Sequence, residues 1–443
     1  VKAAAGFAQW LDRAFWGEAL ALALAAPFFY FPGRFGAWSP LLGAALLCAG
    51  WVWRKRQLGV LGVRSPATLP VVLLLALLPM AVWVAPAPLR DLYAFPRALI
   101  LVWNIALFWW LSVNCGRSAA LRTLGAGGFV ALGTVIALAG LFGTRWDVKI
   151  PLLSAALERL PQFPSGVFAG AQEGFSPNQL AGTLLYVLPF AAMWMAAELR
   201  RRRSVPSLLL AAATGIMLLV LLVSQSRAGL VGLGASALLV VLVPRRWGRW
   251  LLAAGIILIV LAAAILPVSS LLMQVDDATK VQGAYGSLSI AGRLEIWSRA
   301  AQAVQDFPFT GVGLGAFRGI VHQVYPLFLI PPGYDIAHAH NFFLQSSLDF
   351  GLFGLLAIAA LYGLACVQCL HLWRTPLFPD HRAWALGLFV SLCGQAVYSM
   401  ADAVAMGSKT NLLFWWLLAL IFGLARERAK TDAGASGPAI GAE

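Results

Sequence analysis

Residues 200–249 read RRRRSVPSLLLAAATGIMLLVLLVSQSRAGLVGLGASALLVVLVPRRWGR. Two apolar runs, 206–223 and 227–243, are parted only by Ser224-Gln225-Ser226-Arg227. Runs of about 20 apolar residues cross roughly 30 Å of hydrocarbon as helices. Helices are the form lipid tolerates, because it offers no partner for open backbone groups. Arg200 to Arg203 precede the pair, and Arg245, Arg246 and Arg249 follow it. Basic flanks mark the cytoplasmic side. The stretch therefore reads as a hairpin of two spans, with its ends in the cytoplasm and its Ser-Gln-Ser-Arg turn outside.

The same unit recurs outward in both directions. Apolar runs fall at 17–33, 37–53, 68–86, 96–113, 122–143, 177–198, 250–267, 341–370, 383–402 and 409–425, about twelve spans in all. Every even-numbered exit is basic: Arg54 to Arg56, Arg117 and Arg122, Arg200 to Arg203, Arg245 to Arg249, Arg374 with Arg382, and Arg426 with Arg428. Both termini are thus expected in the cytoplasm. The chain of 443 residues is 60% apolar and 11% charged, where a soluble domain carries about 25% charge. The fold class is an all-α polytopic membrane protein; the alternation of a membrane barrel is absent. The net charge of +14 sits beside apolar runs, which makes it a topology signal rather than a nucleic-acid surface. No short apolar core with a small-residue cleavage site opens the chain, so the first span is expected to be retained.

Residues 1–267 then hold spans one to nine, with an outer loop at about 144–176. Residues 268–340 form a large outer loop, 341–425 hold spans ten to twelve, and 426–443 form a small, polar, disordered cytoplasmic tail. In the large loop, Leu294, Ile296, Trp297, Ala300, Ala301 and Val304 make one helical stripe, and Phe317, Ile320, Val321, Val324 and Tyr325 a second. Both read as amphipathic helices over the mouth of the bundle. Cys48, Cys115, Cys366, Cys369 and Cys393 all lie in or beside apolar runs and read as packing residues.

Three features that carry chemistry converge on the outer face. Arg227 stands at a lipid-level turn, either snorkelling to headgroups or offering its fork of donors to phosphate. Arg293, in Gly292-Arg293-Leu294-Glu295-Ile296-Trp297, either pairs with Glu295 or Asp306 or serves an anion. The glycines of Pro308-Phe309-Thr310-Gly311-Val312-Gly313-Leu314-Gly315 let backbone approach a ligand or a helix closely. They are no phosphate loop, since no Gly-Lys-Ser/Thr follows. His338-Ala339-His340-Asn341 opens span ten, where a helix N-terminus disfavours an imidazolium and suits a general base. A metal pair is the other reading of the histidines, and a wet interfacial histidine with Asn341 as a cap is the plain one. No DxD pair is present. His322 is expected to face solvent.

These residues resemble the O-antigen ligase and O-antigen polymerase superfamily. The resemblance rests on Phe175-Ser176-Pro177-Asn178, Ser226-Arg227, Gly292-Arg293 to Trp297, Pro308 to Gly313, and His340-Asn341 with Leu344, Gln345 and Gly351, across roughly 170–355. Asp349 departs from it, standing where a Glu is expected. The resemblance implies a metal-independent, inverting glycosyltransferase without cofactor, built as a GT-C-like bundle with a periplasmic helical loop in the bacterial inner membrane. Its donor would be a glycan on undecaprenyl pyrophosphate and its acceptor the lipid A–core oligosaccharide. His340 would be the base, with His338 as neighbour or substitute, and Arg227, Arg293 and Arg318 would bind the pyrophosphate. A polymerase acting on a second lipid-linked repeat, a transferase to protein Ser or Thr, and a transporter of a lipid-linked glycan stay open as alternatives.

Overall fold

The computed structural model describes residues 12–62, 65–144, 146, 159, 175–245, 248, 290–376, 378 and 380–435. The ninth expected span, most of the 144–176 loop, residues 268–289 and the end of the tail lie outside the described residues. Among the described residues the chain is helical, with one isolated bridge between Thr144 and Phe175. The helices are α1 (Arg13–Tyr30), α2 (Ser39–Leu58), α3 (Thr68–Trp83), α4 (Phe95–Cys115), α5 (Ala119–Gly143), α6 (Pro177–Leu185) and α7 (Leu188–Arg200). They continue as α8 (Ser204–Val223), α9 (Arg227–Leu242), α10 (Ile290–Asp306), α11 (Phe317–Val324), α12 (Phe342–Arg374), α13 (His381–Ser399) and α14 (Leu412–Ala435).

Helices stand at the expected span positions that fall within the described residues, but fewer meet the length and polarity a lone span needs. Among the described residues five segments are long and apolar enough to cross a membrane: Ala87–Cys115, Ala119–Gly143, Ser204–Val223, Phe342–Arg374 and Lys409–Arg428. A sixth candidate is the pair α6 and α7, bent by 42°. Pro189, at the second position of α7, has no N–H to continue the ladder from α6. The other helices are short, as with α3 and α9, or carry buried polar groups. Glu18 of α1 pairs with Arg54 of α2 at 3.2 Å, and α13 buries Ser391, Gln395 and Ser399. Such groups face helix neighbours rather than lipid.

Small residues allow close helix crossings. On α9 and α13, a Cβ at Gly232 would lie 2.6 Å from the Gly394 carbonyl oxygen, so the backbones touch. The basic exits gather at one end of the bundle, tied by ion pairs. Arg117 reaches Asp12 at 2.7 Å, Arg122 pairs with Glu427, and Arg201 meets Asp380 at 2.7 Å. All five cysteines are free.

The segment 290–340 has a small core of its own, in which Ile296, Ala300 and Ala303 of α10 meet Phe317 and Val321 of α11 and Leu348 of α12. Ala303, not Ala301, completes the buried stripe, and Val324 is exposed. The core explains this, because α10 turns a single narrow face to α12. His322 does not stand free in solvent: it is half-buried, with its Nε2 2.7 Å from the Tyr334 carbonyl oxygen.

α12 is broken at Gly351, which has φ 70°. The Pro308–Gly315 turn fills the break. Val312 N–H donates to the Leu348 carbonyl and Leu352 N–H to the Pro308 carbonyl, each at 2.7 Å. Backbone groups released by the kink are thereby satisfied. A Cβ at Gly351 would overlap the Phe309 carbonyl. The glycine-rich turn thus makes the close helix approach that its composition allowed.

Candidate functional site

Asn341 ends the extended chain and starts α12, its side chain accepting from the N–H groups of Phe343 and Leu344 at 3.0 Å each. His340, just before it, has φ 47°. This left-handed backbone is disfavoured for a residue with a Cβ and collects at functional sites. It turns the ring toward the 400–408 loop that follows α13. There His340 Nδ1 lies 3.3 Å from Asp402 Oδ1. His338 Nε2 lies 3.7 Å from the same oxygen, and Arg293 Nη2 lies 4.0 Å from Oδ2. The two imidazoles stand edge to face with centroids 4.6 Å apart. Helix α10, the His338–His340 segment and the loop after α13 thus bring one carboxylate, two histidines and an arginine together.

The two histidines are not equivalent. His338 is 4% exposed and accepts the His340 backbone N–H on Nδ1 at 3.2 Å. A neutral imidazole with Nδ1 accepting carries its proton on Nε2. Gln179 Nε2 lies 3.1 Å from that nitrogen; exchanging the near-isosteric nitrogen and oxygen of the amide turns an acceptor to the ring N–H. Burial first, then His340, pushes His338 down to about 3, with Arg97 and Arg293 adding to this and Asp402 opposing it. His338 is therefore a neutral, fixed ring with no free lone pair. His340 is more open, its side chain 14% exposed. With Nδ1–H donating to Asp402, its Nε2 is left as the acceptor. Burial alone would raise the Asp402 carboxyl. The hydrogen bond from His340, with the electrostatic pull of His340, His338 and Arg293, outweighs burial and holds it well below the usual carboxylate range.

A second layer holds this set. Gln345 Oε1 accepts from Ala339 N–H, and its Nε2 donates to Asp349 Oδ1, both at 2.8 Å. The same Asp349 oxygen accepts from Gly315 N–H at 2.8 Å. The shorter acid at 349 reaches both donors. Arg97 of α4 lies against Gly315.

Arg318 pairs with Asp335, its guanidinium 5.1 Å over the Tyr93 ring. Arg227 is exposed at the first turn of α9, which Ser226 caps by accepting from Gly229 N–H at 3.2 Å. That turn packs against Ala181 of α6, two residues from Gln179. Glu295 accepts the N–H groups of Phe328 and Leu329, and Asp306 accepts from the Tyr325 hydroxyl at 2.7 Å. The acid facing Arg293 is therefore Asp402, and neither sequence neighbour takes that place. Asp402 and Gln179 were missed in the sequence. A lone acid at the end of an apolar run is the signal for the first. The second adjoins the Phe175–Asn178 motif.

His338, His340 and Asp402 each offer a ligand atom within 4.8 Å of the others, as metal ligands do. A family model described as O-antigen ligase matches residues 212–359, from within α8 to within α12. No curated protein matches the chain. The match takes in Arg227, Arg293, His338 and His340, while Asp402 and Gln179 lie beyond it. Over this stretch, where the site is built and where the residues carry their resemblance, the chain is similar to the O-antigen ligase family.

Proposed function

We propose that this membrane protein transfers a glycan from undecaprenyl pyrophosphate to a sugar hydroxyl of lipid A–core oligosaccharide, on the periplasmic face of the bacterial inner membrane. The family match supports glycan transfer of the O-antigen ligase or polymerase type in general. The observation that carries the finer reading is the His340–Asp402 contact beside Arg293. The acceptor hydroxyl attacks the anomeric carbon as its proton passes to His340 Nε2. The bond from that carbon to the phosphate oxygen breaks, and the pyrophosphate leaves with the lipid. Attack opposite the leaving group inverts the centre. Asp402 orients the ring and stabilises the imidazolium that forms, as the acid does in other base–orienter pairs. Arg293 offers donors to the charge growing on the leaving group, Arg227 to the second phosphate, and Arg318 to the outer edge of the site once drawn from Asp335.

The three-atom spacing supports a second reading, in which the histidines and Asp402 hold a divalent cation. The guanidinium of Arg293, 4.0 Å from the same carboxylate, repels a cation there and favours the first. The test of acceptor class supplies purified protein and lipid-linked glycan with lipid A–core, a second lipid-linked repeat or a Ser/Thr peptide, each alone. Extension of lipid A–core is the expected result. Extension of the repeat or the peptide alone replaces the ligase reading with polymerase or protein transfer. Movement of glycan across vesicles without any transfer replaces it with transport.

A further inference from the structure

A second feature lies at the far end of the bundle from the histidines. α13 begins beside it at His381 and ends at Ser399, near Asp402. Its length at 1.5 Å per residue separates the two by roughly 28 Å, about the thickness of the hydrocarbon. At that end a cavity of about 230 Å³ is lined by Arg122, Arg201, Arg203, Trp194, Phe378 and Trp384, together with Thr123 and the acids Glu198 and Asp380.

Donors outnumber acceptors in this cavity. Arg122 is 6% exposed, lies 4.1 Å over the Phe378 ring, and pairs with Glu427 through one nitrogen. Arg201 meets Asp380 through one nitrogen at 2.7 Å. Arg203 stands 3.7 Å from Glu198 with its side chain 57% exposed. Each guanidinium has five N–H donors, and these pairs engage one nitrogen of each. Both lining acids are engaged, Asp380 by Arg201 and Glu198 through Oε1 by the Trp194 indole at 3.2 Å, while Glu198 Oε2 stands 3.7 Å from Arg203 without a hydrogen bond. Trp384 is 4% exposed, and its indole N–H has no acceptor among the described residues. Buried donors of this kind are for the most part paired, with protein or with a bound group. A group that matches these donors is compact, anionic and rich in acceptors. Phosphate has that chemistry, and arginine forks match its geometry. Basic pockets between membrane helices receive such groups from lipids.

We infer that this cavity is a phosphate-binding site, held by Arg122, Arg201, Arg203 and the Trp384 indole, that takes the phosphodiester of an anionic lipid headgroup or a free phosphate. The test is thermal unfolding of the full chain in detergent with dioctanoyl phosphatidylglycerol, dioctanoylglycerol or inorganic phosphate, at equal ionic strength. The phosphatidylglycerol raises the midpoint saturably and dioctanoylglycerol does not. Arg203→Gln and Trp384→Phe each raise the half-saturating concentration by about tenfold, as loss of one charge-assisted or buried bond does. Stabilisation by the lipid alone assigns the site to a headgroup. Equal stabilisation by inorganic phosphate assigns it to a free anion. If neither phosphate source shifts the midpoint, or if the variants respond as the unaltered chain does, there is no site. Arg203 is at the surface, so its variant folds and decides the matter even where Trp384→Phe does not.

Discussion

His338 and His340 are two residues apart and share one carboxylate, yet their surroundings give them different work. His338 is enclosed, and burial makes its folded ring resist taking up a proton. The unfolded ring binds a proton below about 6.5, and the folded one binds it only near 3. Between those values the unfolded state holds more protons, so stability rises with pH across this window and is lost as pH falls below about 6.5. Asp402 acts in the same direction at the acid edge, because its folded carboxyl is depressed. Thermal unfolding in detergent should therefore show a lower midpoint at pH 5 than at pH 7, with a shallower slope in His338→Gln. A midpoint that does not change across this range contradicts the buried, neutral His338. The pair was legible in the sequence as HxH before a span, and its division of labour was not. That division depends on Asp402 and Gln179, which are 62 and 159 residues distant from their histidines, and no local pattern encodes such contacts.

At the scale of elements, apolar periodicity was enough to place α10 and α11. It also marked the 308–315 turn as a place where backbone comes close. The kink in α12 was hidden, because Gly351 sits inside a single expected span and a lone glycine there is tolerated in a straight helix. Its φ of 70° and its contact with Phe309 make it irreplaceable. Gly351→Ala should destabilise the protein by roughly 2–4 kcal/mol, from a disfavoured backbone and overpacking together. Denaturant unfolding in micelles measures this, and an unchanged midpoint would show that the kink is not fixed by its glycine. The break between α6 and α7 was read as one span. Pro189 was its signal, but a proline in a membrane helix does not by itself say whether the helix bends.

For the whole molecule, alternating basic exits implied that one end faces the cytoplasm. The ion pairs of Arg117, Arg122 and Arg201 join those exits at one end, while the histidine cluster stands at the other end of α13. This supports a periplasmic site. Gln323, exposed on α11, makes the orientation testable. A cysteine placed there should react with an impermeant maleimide in whole cells whose outer membrane is opened, and labelling only after inner-membrane lysis would reverse the topology. The central claim is that His340 serves as the base without a metal, with Asp402 orienting it. The direct measurement is glycan transfer by the purified full chain with lipid-linked donor and lipid A–core, with and without a strong chelator, for the unaltered protein, His340→Ala and His338→Ala. The account predicts transfer that survives chelation, a loss of about 10²–10⁴-fold in His340→Ala, and a smaller loss in His338→Ala. Transfer abolished by the chelator and restored by zinc or manganese, or an active His340→Ala beside a dead His338→Ala, would contradict it.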